Sequence, residues 1–582
     1  MLKLLKYLKP YWWQVIILLL SVGLQTWFTL QLPALMAEIV NSGIAEKNMD
    51  IVWQIGLKML GCAIITAICA ISSGFFASRI GTAFSRDLRS DFYKKVLCFS
   101  ISDTDKFSTA SLLTRTTNDI SQVQQVVVMM LSMMIRAPMM SIVALIQAFK
   151  TAPNMTWIIA LAIGIMAILI FIIISSVMPK FKMLQKLMDK ITLLTRENLT
   201  GLRVIRAFNN EAFEKKKFVH ANDELTGTLL TINKIMSLTS PLLSLIFNGI
   251  SLLCIWVGIS LIPTDISYLG NMMAFMQYAI QVVMSFLVLT LFFMMLPRAN
   301  VSAARINEVL NTHEKIHWKK ETVGIPEKTP SVEFKNVSFR YGHAEENVLE
   351  NISFSAKAGE TVAFIGSTGS GKSTLINLIP RFYEATEGEI ILNGINIQDF
   401  SKADLMSRIG FVPQRGILFS GTIKSNIKFG AKNISDKDVE EAAKVSQSLE
   451  FIKKNPDGFK AHISQGGTNV SGGQKQRLSI ARAIAKKPEF FVFDDSFSAL
   501  DMKTDQTLRA ALKPLTTSAI TLIVAQRAST IKDADQIVVL DKGKIAGKGS
   551  HEHLLKTCKV YQEIVKSQLS EEEYKKELKN AR

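Results

Sequence analysis

Long apolar runs dominate the first 328 residues of the chain, and charged residues interrupt them rarely. A helix needs ~20 residues to cross the ~30 Å hydrocarbon core of a bilayer, and six of the runs are close to this length or longer. The pattern predicts membrane helices at about 12–37, 51–78, 126–149, 155–178, 238–262 and 269–297. A signal peptide is the alternative for the first run, but the run is too long and no small-residue cleavage site follows it. We therefore expect an all-α, six-helix transmembrane domain over residues 1–328.

Lysine and arginine are distributed unevenly between the two sides of the predicted helices. The N-terminal arm, residues 80–125 and residues 179–237 hold 20 of them, whereas the three short loops on the other side hold only Lys47 and Lys150. Cytoplasmic loops of membrane proteins are enriched in these residues, so the asymmetry predicts a multi-pass cell-membrane protein whose N-terminus and long loops are cytoplasmic. The long loops read as polar continuations of the helices. Their tips, Cys98–Lys106 and Asn209–Lys217, are either contacts for a cytoplasmic domain or solvated faces.

The net charge of the chain is +18. The first 328 residues contain 31 basic and 19 acidic residues, which gives this half +12. Anionic lipid headgroups at the inner membrane surface explain that charge, so nucleic acid is not needed as a partner. The five cysteines lack paired spacing, which argues against a secreted disulfide scaffold and against a zinc site.

Beyond Pro326 and Pro330 the pattern changes to short β-rich runs that alternate with helical ones. The runs are SVEFKNVSF, ETVAFIG, EIILNG, EFFVFDD and AITLIVA. This alternation predicts an α/β domain with parallel strands over residues 329–582. The overall composition, 48% hydrophobic and 20% charged, agrees with a chain that joins a lipid-soluble part to a water-soluble part.

A glycine-rich segment lies between the strand Thr361–Ile365 and an apolar helical stretch, and it matches the phosphate-binding pattern G-x-x-x-x-G-K-[ST]. Its backbone N–H groups can surround phosphates at a helix N-terminus, while Lys372 adds a positive charge and the Ser373 hydroxyl can bind Mg²⁺. The strand Phe490–Phe493 ends at Asp494, which can reach that ion through its water shell. Without the loop, Asp494 would read as a helix cap. The predicted phosphate-binding residues are Gly366, Ser367, Thr368, Gly369, Ser370, Gly371, Lys372, Ser373 and Thr374.

Further motifs accompany this loop. They are Tyr341 in VSFRYG, Gln414 in GFVPQ, the signature VSGGQ at Val470–Gln474, and SALD at Ser498–Asp501. Together they resemble the nucleotide-binding domain of ABC transporters, an α/β P-loop fold. STASLLTRTTNDI and ENLTGLRVIRAF also resemble cytoplasmic loop segments of the exporter type. The whole chain is thus similar to a bacterial half-transporter of the multidrug exporter type, which favours loop tips that dock on nucleotide-binding domains.

The resemblance implies ATP and Mg²⁺ as cofactors and a role for each motif. Tyr341 would stack on adenine, the alternative being an ordinary aromatic residue in a strand. Gln414 would touch both the attacking water and Mg²⁺, which Ser373 and Asp494 also hold. The signature residues would precede a helix that starts near Gln474 and would bind the γ-phosphate of ATP on the other subunit. They are Ser471, Gly472, Gly473 and Gln474.

Three positions depart from the family's pattern. Asp495 stands where a glutamate usually activates the attacking water, Gln526 where a histidine contacts the γ-phosphate, and Gln465 where a glutamate precedes the signature. The shorter carboxylate predicts poor hydrolysis, because a misplacement of about 1 Å can cost on the order of 10²-fold in rate. Glutamine cannot become cationic. Neutral drift is the alternative explanation for these changes. Together with the intact signature, they make the chain resemble one subunit of a heterodimeric exporter. The resemblance implies a homologous partner that carries the catalytic glutamate and histidine.

The membrane runs are rich in methionine and aromatic residues, which suit a cavity for hydrophobic small molecules but also pack against helices and lipid. Arg136 lies in the middle of a run, where an unpaired charge costs at least ~3 kcal/mol, so we expect it to face the bundle interior or water. Glu38, near the outer end of the first run, is a candidate partner for it or a candidate substrate contact. The predicted function is ATP-driven export of hydrophobic or amphipathic compounds, with a lipid or lipopeptide flippase and a non-transporting regulatory ATP-binding subunit as alternatives.

Overall fold

The computed structural model describes residues 1–261, 268–324, 329–342, 344–430 and 433–580. Its chain contacts separate two compact units: Met1–Leu97 with Thr109–Thr312, and Cys98–Ser108 with His313–Arg582. The predicted boundary between residues 328 and 329 falls at residues 325–328, which lie outside the described residues, so that boundary stays a prediction. The predicted segment 238–262 also reaches one residue beyond the described range.

The N-terminal half is built from long helices. Their bounds are α1 Trp12–Glu38, α2 Met49–Cys98, α3 Ile101–Phe107, α4 Thr109–Thr114, α5 Ile120–Met129, α6 Arg136–Thr151, α7 Thr156–Thr200, α8 Leu202–Ala207, α9 Glu211–Leu261 and α10 Tyr268–Leu310. Short 3-10 or π segments join several of them, at Leu2–Tyr11, Ile39–Ile44, Arg115–Asp119, Met130–Met134 and Pro153–Met155.

Six helical stretches of the described chain are long and apolar enough to cross a membrane. They are Lys3–Ile44, Met49–Cys98, Thr109–Thr151, Pro153–Thr200, Glu211–Ile259 and Leu269–Leu310. The six-helix prediction is therefore confirmed. The long loops are helical continuations as expected, since α2 has 50 residues and α9 has 51.

The first loop tip forms the short helix α3. Ser100 caps it, because the Ser100 hydroxyl accepts a hydrogen bond from the Asp103 N–H at 3.2 Å while the Asp103 carboxylate accepts one from the Ser100 N–H at 3.1 Å. Residues Cys98–Ser108 group with the second unit, and in that unit the Lys315 ammonium donates to the Ser102 hydroxyl at 3.1 Å. At the second tip, Asn209 adopts a positive φ of 51° between α8 and α9.

Arg136 is the first residue of α6, directly after the π segment that interrupts the third membrane stretch. Its side chain is half-buried, whereas Glu38 is exposed at the end of α1. Within the described ranges no ion pair joins the two residues. The pairing proposed from the sequence therefore has no support in this conformation, and the role of Arg136 toward a substrate stays a prediction.

The second unit alternates strands and helices. The strands are β1 Ser331–Phe339, β2 Leu349–Lys357, β3 Thr361–Gly366, β4 Glu387–Leu392, β5 Ile395–Asn396, β6 Ile409–Val412, β7 Gly421–Thr422, β8 His462–Ile463, β9 Phe490–Asp494, β10 Ile520–Val524, β11 Gln536–Asp541 and β12 Lys544–Gly549. The helices are α11 Lys372–Leu378, α12 Lys402–Arg408, α13 Ile423–Ile427, α14 Asp436–Val445, α15 Leu449–Lys454, α16 Gly472–Ala485, α17 Met502–Thr516, α18 Ala528–Ile531, α19 His551–Thr557, α20 Lys559–Gln568 and α21 Glu571–Asn580.

The strands form a largely parallel sheet in the order β12-β11-β3-β10-β9-β6 and an antiparallel sheet in the order β2-β1-β4-β5. The expectation of parallel strands is thus correct for ETVAFIG, EFFVFDD and AITLIVA but wrong for SVEFKNVSF and EIILNG. The second pair joins the antiparallel sheet, where β1 lies between β2 and β4.

The parallel sheet determines where the site lies. Strands β3, β10 and β9 are neighbours, with Val524 of β10 beside Phe364 of β3 and beside Asp494 of β9. The carboxyl ends of parallel strands meet at one edge of a sheet, which is where open α/β sheets bind ligands. Apolar side chains, including the fully buried Phe364 and Phe493, pack the sheet and hold this edge in place.

Candidate nucleotide-binding site

The phosphate-binding loop connects β3 to α11, and its lysine begins the helix. The Lys372 ammonium donates to the carbonyl oxygens of Gly366 at 2.8 Å and Ser367 at 2.7 Å. Burial lowers the pKa of Lys372, while the nearby carboxylates of Asp494 and Asp495 oppose that shift. The loop thus curls around a desolvated cation, for which phosphate oxygens are stronger partners than carbonyls.

Two glycines make this loop shape possible. A Cβ on Gly366 would lie 2.1 Å from the backbone oxygen of Leu540 on the neighbouring strand. Gly371 has a φ of +95°, and a Cβ there would lie 2.7 Å from a methyl group of Leu349. Any side chain at either position would displace the loop. Glycine is therefore required here by packing as well as by the phosphate-binding motif.

The predicted metal residues Ser373 and Asp494 lie together. The Ser373 hydroxyl donates to Asp494 Oδ1 at 2.8 Å, and burial raises the pKa of the Asp494 carboxyl against the effects of Ser373 and Lys372. A hydroxyl beside a buried carboxylate is an oxygen donor set that fits Mg²⁺. When bound, Mg²⁺ would neutralise charge on the phosphates; Ser373 and Asp494 would hold and orient it. Gln414 is the third predicted metal residue, but its side-chain amide donates a hydrogen bond to the Asp495 carboxylate instead.

Asp495 directly follows β9 and has a positive φ of 46°. Its N–H donates to the Val524 carbonyl at 3.1 Å, and its Oδ2 accepts from the side-chain amides of Gln526 at 2.8 Å and Gln414 at 3.4 Å. Burial raises the pKa of the Asp495 carboxyl. The structure therefore brings together the two substituted positions and the predicted water-contacting glutamine, which lie far apart in the sequence.

Tyr341 is anchored to the phosphate-binding helix. Its hydroxyl lies 3.0 Å from the Thr374 hydroxyl, and its ring meets the rings of Phe339 and Tyr383 edge-on at 4.9 and 5.3 Å between centroids. These contacts fix the ring orientation. Stacking on adenine stays a prediction.

The signature forms the N-terminus of helix α16, which begins at Gly472 and so near Gln474 as the sequence predicted. A capping box marks this start: the Ser471 hydroxyl accepts from the Gln474 N–H at 3.3 Å, and the Gln474 side chain accepts from the Ser471 N–H at 3.0 Å. Ser471 and Gly472 are exposed, and Gly473 is half-buried. In the described part of the chain no hydrogen bond joins this segment to the phosphate-binding loop.

One residue that sequence reasoning missed is Gln568, at the end of α20. Its side-chain amide donates to the Gln526 carbonyl at 2.7 Å, and its amide oxygen accepts from the Ala528 N–H at 2.8 Å. Gln568 thus holds the backbone on both sides of Arg527 and supports the residue that binds Asp495. No local motif could reveal it, because 42 residues separate the partners.

Two family models match the chain: the ABC transporter transmembrane region over residues 15–286 and the ABC transporter over residues 349–498. An uncharacterized ABC transporter ATP-binding protein of Mycobacterium tuberculosis is 38% identical over 97% of this chain and 97% of its own length. The ATP-dependent lipid A-core flippase of Syntrophus aciditrophicus is 30% identical over 99% of this chain and 96% of its own length.

A solved structure has the same fold. It is a bacterial Atm1-family ABC exporter with ATP bound, which matches 97% of this chain and 99% of its own with a TM-score of 0.80 at 23% identity. Together with the membrane-length helices and the phosphate-binding geometry, these similarities settle the family. The chain is a multi-pass membrane protein of the ABC transporter family, a half-transporter in which a transmembrane domain and an ATP-binding domain are fused.

Proposed function

We propose that this chain is one subunit of a heterodimeric exporter, and that it holds the ATP site that hydrolyses slowly. The proposal rests above all on Asp495 and Gln526, which stand in place of the family's glutamate and histidine. The Asp495 carboxylate accepts hydrogen bonds from two neutral amides, those of Gln526 and Gln414. An aspartate reaches less far than a glutamate, and a bound amide adds no positive charge for a γ-phosphate. ATP bound here would therefore persist longer than at a complete site.

The signature supports the heterodimer. Ser471 to Gln474 keep the family's residues, and backbone N–H groups at the start of α16 suit a phosphate. In a dimer of the family's kind these residues serve ATP on the other subunit. This chain would then supply a complete signature to a homologous partner that carries the glutamate and histidine. Gln465, which is exposed, is a further departure of this chain from the family's pattern.

We further propose that the exporter moves hydrophobic or amphipathic compounds out of the cell, in the manner of multidrug efflux. Methionine and aromatic side chains in the membrane helices suit cargo of variable shape. The lysine and arginine asymmetry supports a cytoplasmic N-terminus and a cytoplasmic ATP-binding domain over residues 329–582. ATP binding would join the two ATP-binding domains, and hydrolysis at the partner's site would reset them.

The heterodimer is tested by two variants of the complex co-expressed from this gene and its genomic neighbour. Ser471→Ala should remove most ATPase activity, because it damages the signature that completes the partner's site. Asp495→Asn should leave most of the activity in place, because it changes only the slow site. The chain purified alone should show little turnover. Robust ATPase activity of the lone chain, or a complex that loses its activity through Asp495→Asn, would contradict the proposal.

A lipid flippase is the second candidate, and the 30% identity to a lipid A-core flippase favours it specifically. The two substrate classes separate in ATPase assays of the complex in nanodiscs, where either added lipids or added amphipathic dyes stimulate turnover. A non-transporting regulatory subunit is a third class. ATP-driven dye accumulation in inverted vesicles that is lost in Lys372→Ala would exclude it, since a regulator without transport gives no accumulation to lose.

A further inference from the structure

The chain passes between its two units at three points, and two of them lead into one polar seam of the membrane unit. Thr109 follows the Cys98–Ser108 segment of the ATP-binding unit, and Thr312 precedes the return to that unit at His313. The stretch Arg115–Gln122 begins a few residues after Thr109, and it packs against the end of α10, which lies just before Thr312. The first part of this stretch is the π segment Arg115–Asp119.

The outer part of the seam is an ion pair. Arg115 Nη1 donates to the Glu308 carboxylate at 2.9 Å and to the Arg305 carbonyl at 2.8 Å. The Arg115 side chain is only 13% exposed, whereas that of Glu308 is 48% exposed. Arg115 thus holds both a side chain and the backbone of α10, which resists sliding between the two segments.

The inner part of the seam is a buried carboxylate. The Asp119 side chain is 5% exposed, and its Oδ1 accepts from the Ser302 hydroxyl at 2.9 Å. The Gln122 side chain lies 2.9 Å from the same hydroxyl. Since a hydroxyl has one hydrogen to donate, Asp119 Oδ1 and Gln122 Oε1 share Ser302 as their donor.

The second oxygen of Asp119 is unsatisfied. In the described chain its Oδ2 is buried without a hydrogen-bond partner, and Arg305 Nη1 lies 4.0 Å away. A buried carboxylate is costly unless it is paired, so separation of α10 from this segment would strand the charge. A small shift of α10 toward the segment would instead shorten the 4.0 Å ion pair between Arg305 and Asp119.

We propose that this polar clasp, formed by Arg115, Asp119 and Gln122 on one side and Ser302, Arg305 and Glu308 on the other, transmits ATP-driven movement into the membrane helices. Both chain connections at the seam lead to the ATP-binding unit. A clasp that fixes them to one another makes the third and sixth membrane helices move as one body. The inference rests on ATP-driven transport by the family and does not require the heterodimer, the cargo or the slow site.

The test separates ATP binding from its effect on the membrane helices. The active complex in nanodiscs is compared with and without ATP and vanadate by hydrogen exchange in α5 and α6. Asp119→Asn, which keeps the side-chain shape, and Glu308→Gln should reduce the ATP-induced change in exchange by about fivefold or more. Neither should alter ATP affinity, because both residues lie outside the ATP-binding unit.

Two matched control variants distinguish a specific role of the clasp from the general effect of losing an ion pair. Glu224→Gln breaks an ion pair with Lys190 of the same 2.9 Å length elsewhere in the membrane unit, and it should leave the ATP-induced change intact. Glu308→Asp keeps the charge and should preserve most of the change. Clasp variants that retain the full ATP-induced change would overturn the proposal. Equal losses in Glu224→Gln and Glu308→Gln would also overturn it, because the clasp would then be an ordinary structural contact.

Discussion

Contacts of the backbone and of the side chain together fix the position of the Asp495 carboxylate. The positive φ and the hydrogen bond to Val524 fix the start of the side chain, and the amides of Gln526 and Gln414 fix its end. The carboxylate is therefore held at a position set by its short side chain. A longer side chain from the same backbone would extend beyond these amides.

Asp495→Glu should consequently raise ATP hydrolysis at this chain's own site. We expect an increase of between about tenfold and about a hundredfold, since the added methylene corrects a misplacement of about 1 Å. The measurement is single-turnover hydrolysis in a complex whose partner site is inactivated. Asp495→Asn is the control and should show no increase. An unchanged rate in Asp495→Glu would assign the defect to Gln526 or to the partner's signature.

Asp494 gives a prediction on stability. Burial raises its pKa in the folded protein above the unfolded value, so its contribution to stability is greatest at low pH and is lost as the pH rises through the folded pKa. At neutral pH the buried charge thus destabilises the nucleotide-free protein. Asp494→Asn, which carries no charge, should raise the melting temperature without nucleotide and abolish the added stabilisation by Mg²⁺ with ATP.

Thermal unfolding of the full chain in detergent, with and without Mg²⁺ and ATP, measures both effects. The exposed Asp457→Asn removes one carboxylate from the same unit and should change neither. If Asp494→Asn melted at a lower temperature than the wild type without nucleotide, burial of the charge would not be the dominant effect at this position.

At the scale of elements, α20 supports the loop after β10. Gln568 makes two hydrogen bonds to that loop, and each is worth about 1 kcal/mol. Gln568→Ala should therefore speed amide exchange at residues 526–530 by about thirtyfold. The control is Gln562→Ala on the same helix, which removes one bond to the Leu555 carbonyl and should leave the loop unaffected. Equal effects of the two variants would show general loosening of α20.

Periodic patterns made most elements predictable from the sequence. The six membrane stretches follow from apolar runs, and the phosphate-binding loop from a motif that is continuous in the chain. The start of α16 near Gln474 was predictable because the signature residues Ser471 and Gln474 form a capping box there. The antiparallel pairing of β1 with β4 was missed because strand direction depends on partners distant in the chain.

Functional contacts were predictable only where a motif carries them. Ser373 and Asp494 could be paired in advance, because both belong to recognised patterns of one site. The Asp495 and Gln526 contact, the Gln568 support and the Asp119 to Ser302 bond join residues 31, 42 and 183 positions apart. Polar residues of these types are common on helix surfaces, so their partners become visible only in the folded chain.

At the scale of the whole molecule, the two units differ in which side chains they expose to their surroundings. The membrane unit exposes apolar side chains such as Trp53 and Trp256, which are 76% and 73% exposed and suited to lipid. The ATP-binding unit buries its aromatic residues within and between its sheets. A half-transporter of this design has one phosphate-binding loop and one signature, so two unequal ATP sites would require a second chain of different sequence.

The capping box at Ser471 has a consequence for the assembly of the complex. Because the Ser471 and Gln474 side chains each accept a hydrogen bond from the other residue's N–H, two donors at the start of the signature helix are satisfied within this chain. The start of this helix can therefore form without a second chain. Folding of the signature segment does not have to wait for any assembly of the transporter.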